Sequence, residues 1–371
     1  MKKPFFILFI FLTWISFPFL VFIAKNRNRR LGNAKRILII PQLTRIGDIV
    51  CSTPVIFNIK RTYPNSHVAV LVSKKALGII KNNPKIDELI IIENYSWFGL
   101  LHKLRESNFN WSISLSATST STSWVVWALI AHRIKTVVET PPITERMTDW
   151  MAKHRILYRN HTFLPHHHTR LLSFMGITNP QDTREVFVSN EAEQKVEMWR
   201  KKIPTQTRMV GISISAGNKI KELGDDKFVH IAKTLLAKKD IAIICIGSPA
   251  DKARIQKFIV DVGDPLCFDA TEFSLEELPS LMKRFSLYIA VDTGPIYIAH
   301  TLGVPLIDII GPVDPHEQPP KDVRSIQILP RGNVEPSSFV FKQRGTPQAI
   351  QKALKMTSVD DILSAAFSLL K

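Results

Sequence analysis

Short apolar runs separated by helix-length segments set the fold class of this chain. Arg36-Ile-Leu-Ile-Ile-Pro41, Val68-Ala-Val-Leu-Val72 and Glu88-Leu-Ile-Ile-Ile92 have almost no polar interruption. That is the pattern of strands buried on both faces of a parallel sheet. Helices are expected at Ile49–Tyr63, Leu77–Asn82 and Leu100–Ser107, with a weaker fourth strand at Trp111–Leu115. The pattern fades over residues 139–190, which hold three consecutive histidines, several prolines and no clear long strand. It resumes at Met209-Val-Gly-Ile-Ser-Ile214. Further strands are expected at Ile241–Ile246, Leu287–Val291 and Pro305–Ile310, and helices at Asp226–Ala237, Ala250–Val260 and Leu275–Phe285. Alternating strands and helices predict an α/β chain with two Rossmann-like domains facing across a cleft, 36–190 and 205–335. Ligands are then expected beyond the carboxyl ends of the strands. Residues 1–35 precede this pattern, and 336–371 form a tail with an amphipathic helix at Val359–Leu370.

The amino terminus bears on the compartment. Pro4 to Ala24 is a run of 21 uncharged residues, mostly Phe, Ile, Leu and Val, and a helix of that length covers the ~30 Å hydrocarbon core of a bilayer. It exceeds the ~7–15 apolar residues of a signal peptide and no A-x-A-like cleavage site follows, so a retained membrane anchor is expected. Six Lys and Arg residues follow the run between Lys25 and Arg36 and only Lys2 and Lys3 precede it. That bias places the bulk of the chain on the cytoplasmic side of the membrane. Pro18 either kinks a span or marks a segment that lies in one leaflet. Because the folded pattern begins only at Ile37, the core is not expected to depend on this segment. The formal charge is +17, much of it from the basic flanks of the run. The remainder permits a phosphate-rich partner, but no basic block reads as a nucleic-acid arm.

Several chemistries are disfavoured by pattern. Cys51, Cys245 and Cys267 are scattered and odd in number, against a disulfide framework, and none forms a CxxC pair. His166, His167 and His168 are adjacent and cannot share one helical face as metal ligands do, so no metal site is expected. No GxxxxGK[ST], GxGxxG or GxSxG occurs, which counts against a P-loop enzyme, a standard dinucleotide enzyme and an α/β-hydrolase.

Three loops do converge on the ends of expected strands. Arg45-Ile-Gly-Asp48 follows the first; Asp48 either aims a carboxylate at a ligand or caps the helix after it, and spacing alone leaves both open. Ser213-Ile-Ser215-Ala-Gly217-Asn-Lys219-Ile-Lys221 offers amides, hydroxyls and a cation suited to phosphate. Asp292-Thr293-Gly294-Pro295 opens a probable helix, whose free amides and dipole suit an anion; each loop alone also reads as an ordinary turn or cap.

The motifs Arg36-Ile-Leu-Ile-Ile…Arg45-Ile-Gly-Asp-Ile-Val-Cys-Ser-Thr-Pro54, Asn83-Pro84-Lys-Ile-Asp-Glu88 and Asp292-Thr-Gly-Pro295…Leu302-Gly-Val-Pro305…Gly311-Pro-Val-Asp-Pro315 resemble, in order and spacing, those of glycosyltransferase family 9, the ADP-heptose:lipopolysaccharide heptosyltransferases. The likeness runs from about residue 36 to 320. It implies a GT-B fold with an acceptor domain followed by a donor domain. It also implies a metal-independent, inverting transfer of sugar, with no cofactor beyond the nucleotide-sugar substrate. The implied substrates are a nucleotide-diphosphate sugar, ADP-heptose above all, and a glycolipid acceptor at the bacterial inner membrane. Catalysis then falls on Asp48 and Lys221, with Lys219 as the alternative cation, and donor binding on Ser215, Gly217, Asp292, Thr293, Gly294 and Pro295. Three positions depart from the family pattern. Tyr297 replaces a histidine, Leu223-Gly224 stands where Trp-Pro is usual, and Ser114 and Ser116 replace an acid and an amide. Another nucleotide sugar, an epimerase, or a degenerate membrane-bound scaffold are the rival readings.

Overall fold

The computed structural model describes residues 3–30, 35–116, 118–217, 219–311, 313–330, 352 and 354–371. The chain divides into two compact units, Met1–Glu185 and Val186–Lys371. The expected tail residues 336–351 lie outside the described residues, as do Asn218 and Pro312 within the loops quoted above.

The first unit is built on six strands: β1 Arg36–Ile40, β2 His67–Val72, β3 Glu88–Ile91, β4 Trp111–Ser114, β5 His132–Val138 and β6 His154–Tyr158. All pair in parallel, in the order β3-β2-β1-β4-β5-β6. β1 is central and its residues Ile37–Ile40 are fully buried, which is why its sequence carries no alternation. The order reverses between β1 and β4, and a crevice beyond the strand ends at such a switch point is where open α/β sheets bind ligands.

Two strands escape the hydrophobic pattern. β5 carries Arg133 and Lys135, polar in sequence yet buried. The Arg133 guanidinium donates to the carbonyls of Met151 at 2.9 Å and Ile130 at 2.6 Å, and Lys135 pairs with Asp149 at 2.6 Å. Met151 and Asp149 come from the segment after the strand and Ile130 from the turn before it, so the strand alone gives no sign that its cations are satisfied. β6 lies inside the stretch expected to be irregular, and its exposed Arg155 and Leu157 dilute its apolar signal. The Thr- and Ser-rich stretch 118–123 opens a helix: Thr118 caps the helix Ser119–Trp127 by accepting from the Ser121 amide.

Ahead of this sheet stands one continuous helix, Lys3–Arg30, with Pro18 inside it. Phe5–Asn28 is long and apolar enough to cross a membrane. Contrary to the expectation that the core is independent of it, this helix packs on the first unit. Leu20 and Ala24 share a buried cluster with Val126, Leu129 and Met151, and Trp127 Nε1 donates to Thr13 Oγ1 at 2.9 Å. Helix Ile46–Thr62 begins earlier than the hydrophobic pattern implies, which puts Pro54 in its interior. A proline there leaves the Val50 carbonyl without its amide donor; the Thr53 hydroxyl supplies the bond instead, at 2.8 Å.

The second unit repeats the frame. β7 Arg208–Ser213, β8 Ile241–Cys245, β9 Cys267–Asp269, β10 Phe285–Val291, β11 Leu306–Ile309 and β12 Ser325–Ile328 pair in parallel in the order β12-β11-β10-β7-β8-β9. Counted from its own first strand, this is the order of the first unit, with the switch point between β7 and β10. Gly211 is required at that seam: a Cβ there would lie 2.3 Å from the Phe285 ring and 2.9 Å from Tyr288. The C-terminal helix Val359–Leu369 is no separate appendage, since Ile362, Leu363, Ala365 and Ala366 join the core of this unit.

Candidate active site

In the first unit, Asp48 sits just beyond β1, buried in the first turn of helix Ile46–Thr62. The helix starts at Ile46, three residues before the expected Ile49, and its N-cap Arg45 makes no side-chain cap bond. Asp48 is thus a first-turn acid and not the N-cap that spacing allowed. Its charge there is favoured by the positive end of the helix dipole.

Of the three adjacent histidines, one braces this helix. His168 Nδ1 lies 3.2 Å from the Cys51 carbonyl, and His167 Nε2 lies 3.1 Å from Thr136 Oγ1. Burial pushes His168 down to about 4 and His167 down to about 3, so both are neutral near pH 7. His166 is on the surface, 3.2 Å from Asp182. Among the described residues no three His, Cys, Asp or Glu side chains are placed to hold a metal.

In the second unit the loops after β7 and β10 flank the switch point. Lys221 ends a short 3₁₀ turn, Lys219–Lys221. It is 7% exposed, and its ammonium donates to Asp292 Oδ2 at 2.5 Å and to the Asp292 carbonyl at 3.1 Å. Lys219, two residues earlier, is exposed. The other Asp292 oxygen accepts from Tyr297 Oη at 2.8 Å, so the tyrosine that departs from the family histidine takes part in this cluster. Thr293 is the N-cap residue of helix Gly294–Thr301 but forms no side-chain cap bond; its buried hydroxyl has no hydrogen-bond partner within the protein. Gly294 and Pro295 open that helix.

The loop before Lys221 is pinned at its base. Glu222 accepts from Arg254 at 2.9 Å, and Arg254 also binds Asp225 at 2.5 Å. These carboxylates hold the Arg254 guanidinium above its usual range. Ser215 donates to Asp251, helping to keep that carboxyl below the usual range against the cost of its burial. Gly217 has open space where a Cβ would stand. Of the sequence candidates, then, the fold brings Lys221, Asp292, Thr293, Gly294 and Pro295 together. Ser215 is tied to Asp251, and Lys219 is directed to solvent.

Beside this cluster is a small, partly open pocket lined by Asp292, Tyr297, Val313, Asp314, Glu317, Gln318 and Pro319. Asp314 and Glu317 are buried acids that sequence reasoning gave no role. Asp314 was signalled only as part of the Gly311…Pro315 motif, and Glu317 lies beyond it. Beneath them Asp308 on β11 is fully buried with neither carboxyl oxygen hydrogen-bonded. Burial first, and the nearby Asp292 charge second, raise it well above the usual carboxylate range.

The family model for "Glycosyltransferase family 9 (heptosyltransferase)" matches residues 97–340. The chain is 23% identical over 287 residues to lipopolysaccharide heptosyltransferase 3 of Escherichia coli K12, covering 72% of this chain and 80% of that protein. In structure it resembles a family 9 glycosyl transferase from Veillonella parvula, with TM-score 0.75 and 21% identity over 91% of this chain and 97% of the other. It also resembles the E. coli ADP-heptose lipopolysaccharide heptosyltransferase II, with TM-score 0.73 and 18% identity over 90% and 98% of the two chains.

Proposed function

Since the chain belongs to glycosyltransferase family 9 and has its GT-B fold, we propose that it moves a heptose from ADP-heptose onto a lipopolysaccharide-core or related glycolipid acceptor at the cytoplasmic face of the inner membrane. The observation that carries this reading is the buried Lys221–Asp292–Tyr297 cluster, which adjoins the orphan Thr293 hydroxyl and contributes Asp292 and Tyr297 to an acid-lined pocket.

The chemistry divides among these groups. A departing nucleoside diphosphate develops negative charge, which the Lys221 ammonium and the amino end of helix Gly294–Thr301 neutralise without a resident metal. Asp292 holds Lys221 in place through two acceptors, and Tyr297 fixes the Asp292 carboxylate in turn. Thr293 Oγ1 is free to donate to a phosphate oxygen. Asp314 and Glu317 can accept only hydrogen bonds when ionised, which suits them to sugar or ribose hydroxyls rather than to phosphate. Asp48 is the general base: it takes the proton of the acceptor hydroxyl as that oxygen attacks the anomeric carbon, and inversion follows from attack opposite the leaving diphosphate. The printed names of the relatives support heptose as the sugar.

The test is transfer by the purified full chain, with ADP-heptose set against other ADP- and UDP-sugars and the products read by mass spectrometry. Transfer from a different donor replaces the heptose assignment. No transfer and no donor hydrolysis with any of them replaces the enzymatic reading with that of a binding scaffold. Mass spectrometry of lipid-linked glycan from cells lacking the protein identifies the acceptor.

A further inference from the structure

The apolar helix Lys3–Arg30 does two incompatible things if it crosses a bilayer. Its apolar residues run round the whole circumference, so it needs an apolar partner on every side. The first unit supplies one side. Phe5 and Phe9 meet the Trp97 ring edge-on at 6.5 and 4.9 Å, Thr13 accepts from Trp127, and Phe17 meets Trp150 at 4.7 Å. Arg27 donates to the Ala128 carbonyl at 2.9 Å. From Phe5 to Arg27 this dock extends over roughly 33 Å at ~1.5 Å per residue, the thickness of a hydrocarbon core.

Among the described residues, none covers the opposite side. Ile7, Phe11, Ile15, Phe19 and Phe22 recur at helical spacing and are 47–66% exposed. The same apolar surface passes onto the folded unit. Phe98, 72% exposed, lies 6.5 Å from Phe5, and Trp150, 45% exposed, packs against Phe17. A continuous patch of this kind, rimmed by polar groups, marks an interaction surface.

A perpendicular span would carry the dock into the bilayer with it. Phe17, near the middle of the helix, lies 5.5 Å from the Arg133 guanidinium. A membrane-crossing helix would place that cation near the mid-plane, where ionised groups are costly. Leaving the dock instead would strip the cover from Val126, Leu129 and Met151.

We propose that this helix is a monotopic seat: it stays docked on the first unit, lies parallel to the bilayer plane, and immerses its uncovered face with Phe98 and Trp150 in one leaflet. The occupant of the patch is an anionic lipid monolayer. No acidic residue occurs before Asp48, and lysines and arginines stand at both ends of the helix, exposed Lys25 among them; such residues favour anionic headgroups. Both ends of the helix therefore stay on one side of the membrane. The inference rests on the reading that the chain meets a membrane, so its test has separate readouts for binding and for orientation.

For binding, the purified full chain is floated with phosphatidylcholine vesicles with and without phosphatidylglycerol. It rises with the anionic vesicles, and Phe11→Glu/Phe19→Glu, two changes at exposed positions, abolishes flotation while circular dichroism is unchanged. Failure of the parent chain to float overturns membrane contact altogether. For orientation, single cysteines replace Lys3 and Lys25 in expressing spheroplasts; the native cysteines are all buried. An impermeant maleimide labels both positions only after lysis if the helix lies in the plane. Labelling of position 3 in intact spheroplasts means a crossing helix and overturns the proposal while leaving membrane binding intact. A Thr13→Cys/Trp127→Cys pair that cross-links in the membrane fraction shows that the dock persists there, and its failure to cross-link in membranes, when it forms in detergent, overturns the docked geometry.

Discussion

Replacing Lys221 by methionine isolates the energetic weight of the buried cluster in the second unit. Lys221 and Asp292 are 7% and 3% exposed and 2.5 Å apart. Methionine keeps most of the stem volume but removes the cation, and leaves the Asp292 carboxylate with the Tyr297 hydroxyl and with Asp308 as an acidic neighbour. Removing one partner of a buried pair costs about 3–5 kcal/mol, because the other charge stays desolvated. A unit the size of Val186–Lys371 shifts its melting temperature by roughly 2–4 °C per kcal/mol. The expected fall in the calorimetric transition is therefore about 6–20 °C. Asp292→Asn alone should cost a comparable amount. The double variant Lys221→Met/Asp292→Asn, which buries no net charge, should lose less than the two single losses added, with a coupling of about 2 kcal/mol or more. Turnover is then measured well below each transition, to separate folding from catalysis. A Lys221→Met protein that melts within about 2 °C of the parent would refute the pair as a structural element, and an additive double variant would refute the coupling.

Asp48→Asn, which keeps the first-turn hydrogen-bonding shape but cannot take a proton, should leave donor affinity and melting temperature nearly unchanged and lower turnover about 10²–10⁴-fold; near-parental transfer removes Asp48 from the mechanism. His168 is held neutral at about 4 by burial. The unfolded chain, with an ordinary histidine near ~6.5, therefore binds the proton first, and stability present above pH ~6.5 is lost as pH falls toward 4, by roughly 3 kcal/mol. Urea unfolding across that range should show the slope, and His168→Gln should reduce it. Deletion of residues 1–30 uncovers Trp127, Val126, Leu129 and Met151, so the truncated chain should melt lower and self-associate in light scattering; a monodisperse protein of parental stability contradicts the dock. Tyr297→Phe removes one charge-assisted bond to Asp292 worth about 1.5–3 kcal/mol, and donor affinity or turnover should fall by roughly ten- to a hundredfold.

The central strands were legible because β1, β2, β7, β8 and β10 are buried on both faces and so carry apolar runs that nothing else explains. β5 was not, because Arg133 and Lys135 depend on Met151 and Asp149, which no local window contains. β9 is three residues long, too short to show any period. At the site, the loops after β1, β7 and β10 were legible as strand ends with small, polar and charged residues. The choice between Lys219 and Lys221 as the buried cation needed the 3₁₀ turn that exposes one and buries the other. Asp308 reads as a blemish in the run Leu306–Ile309, and its orphaned carboxyl emerges only from its place against Asp292. The docking of the first helix was illegible for a different reason: a segment apolar on every side states no direction, and its tryptophan partners Trp97, Trp127 and Trp150 are scattered through the sequence.

That dock also has an order in time. The helix Lys3–Arg30 is made first, but the surface that receives it is completed only by Trp150 and Met151, which also caps Arg133 of β5. At about 5–20 residues per second of synthesis, the helix waits on the order of 6–24 s for its protein partner to exist. For that interval a long apolar segment with basic flanks has only lipid or chaperone to cover it. On the monotopic seat proposed above, membrane arrival would precede completion of the first unit, and the unit would close onto a helix already held at the lipid surface.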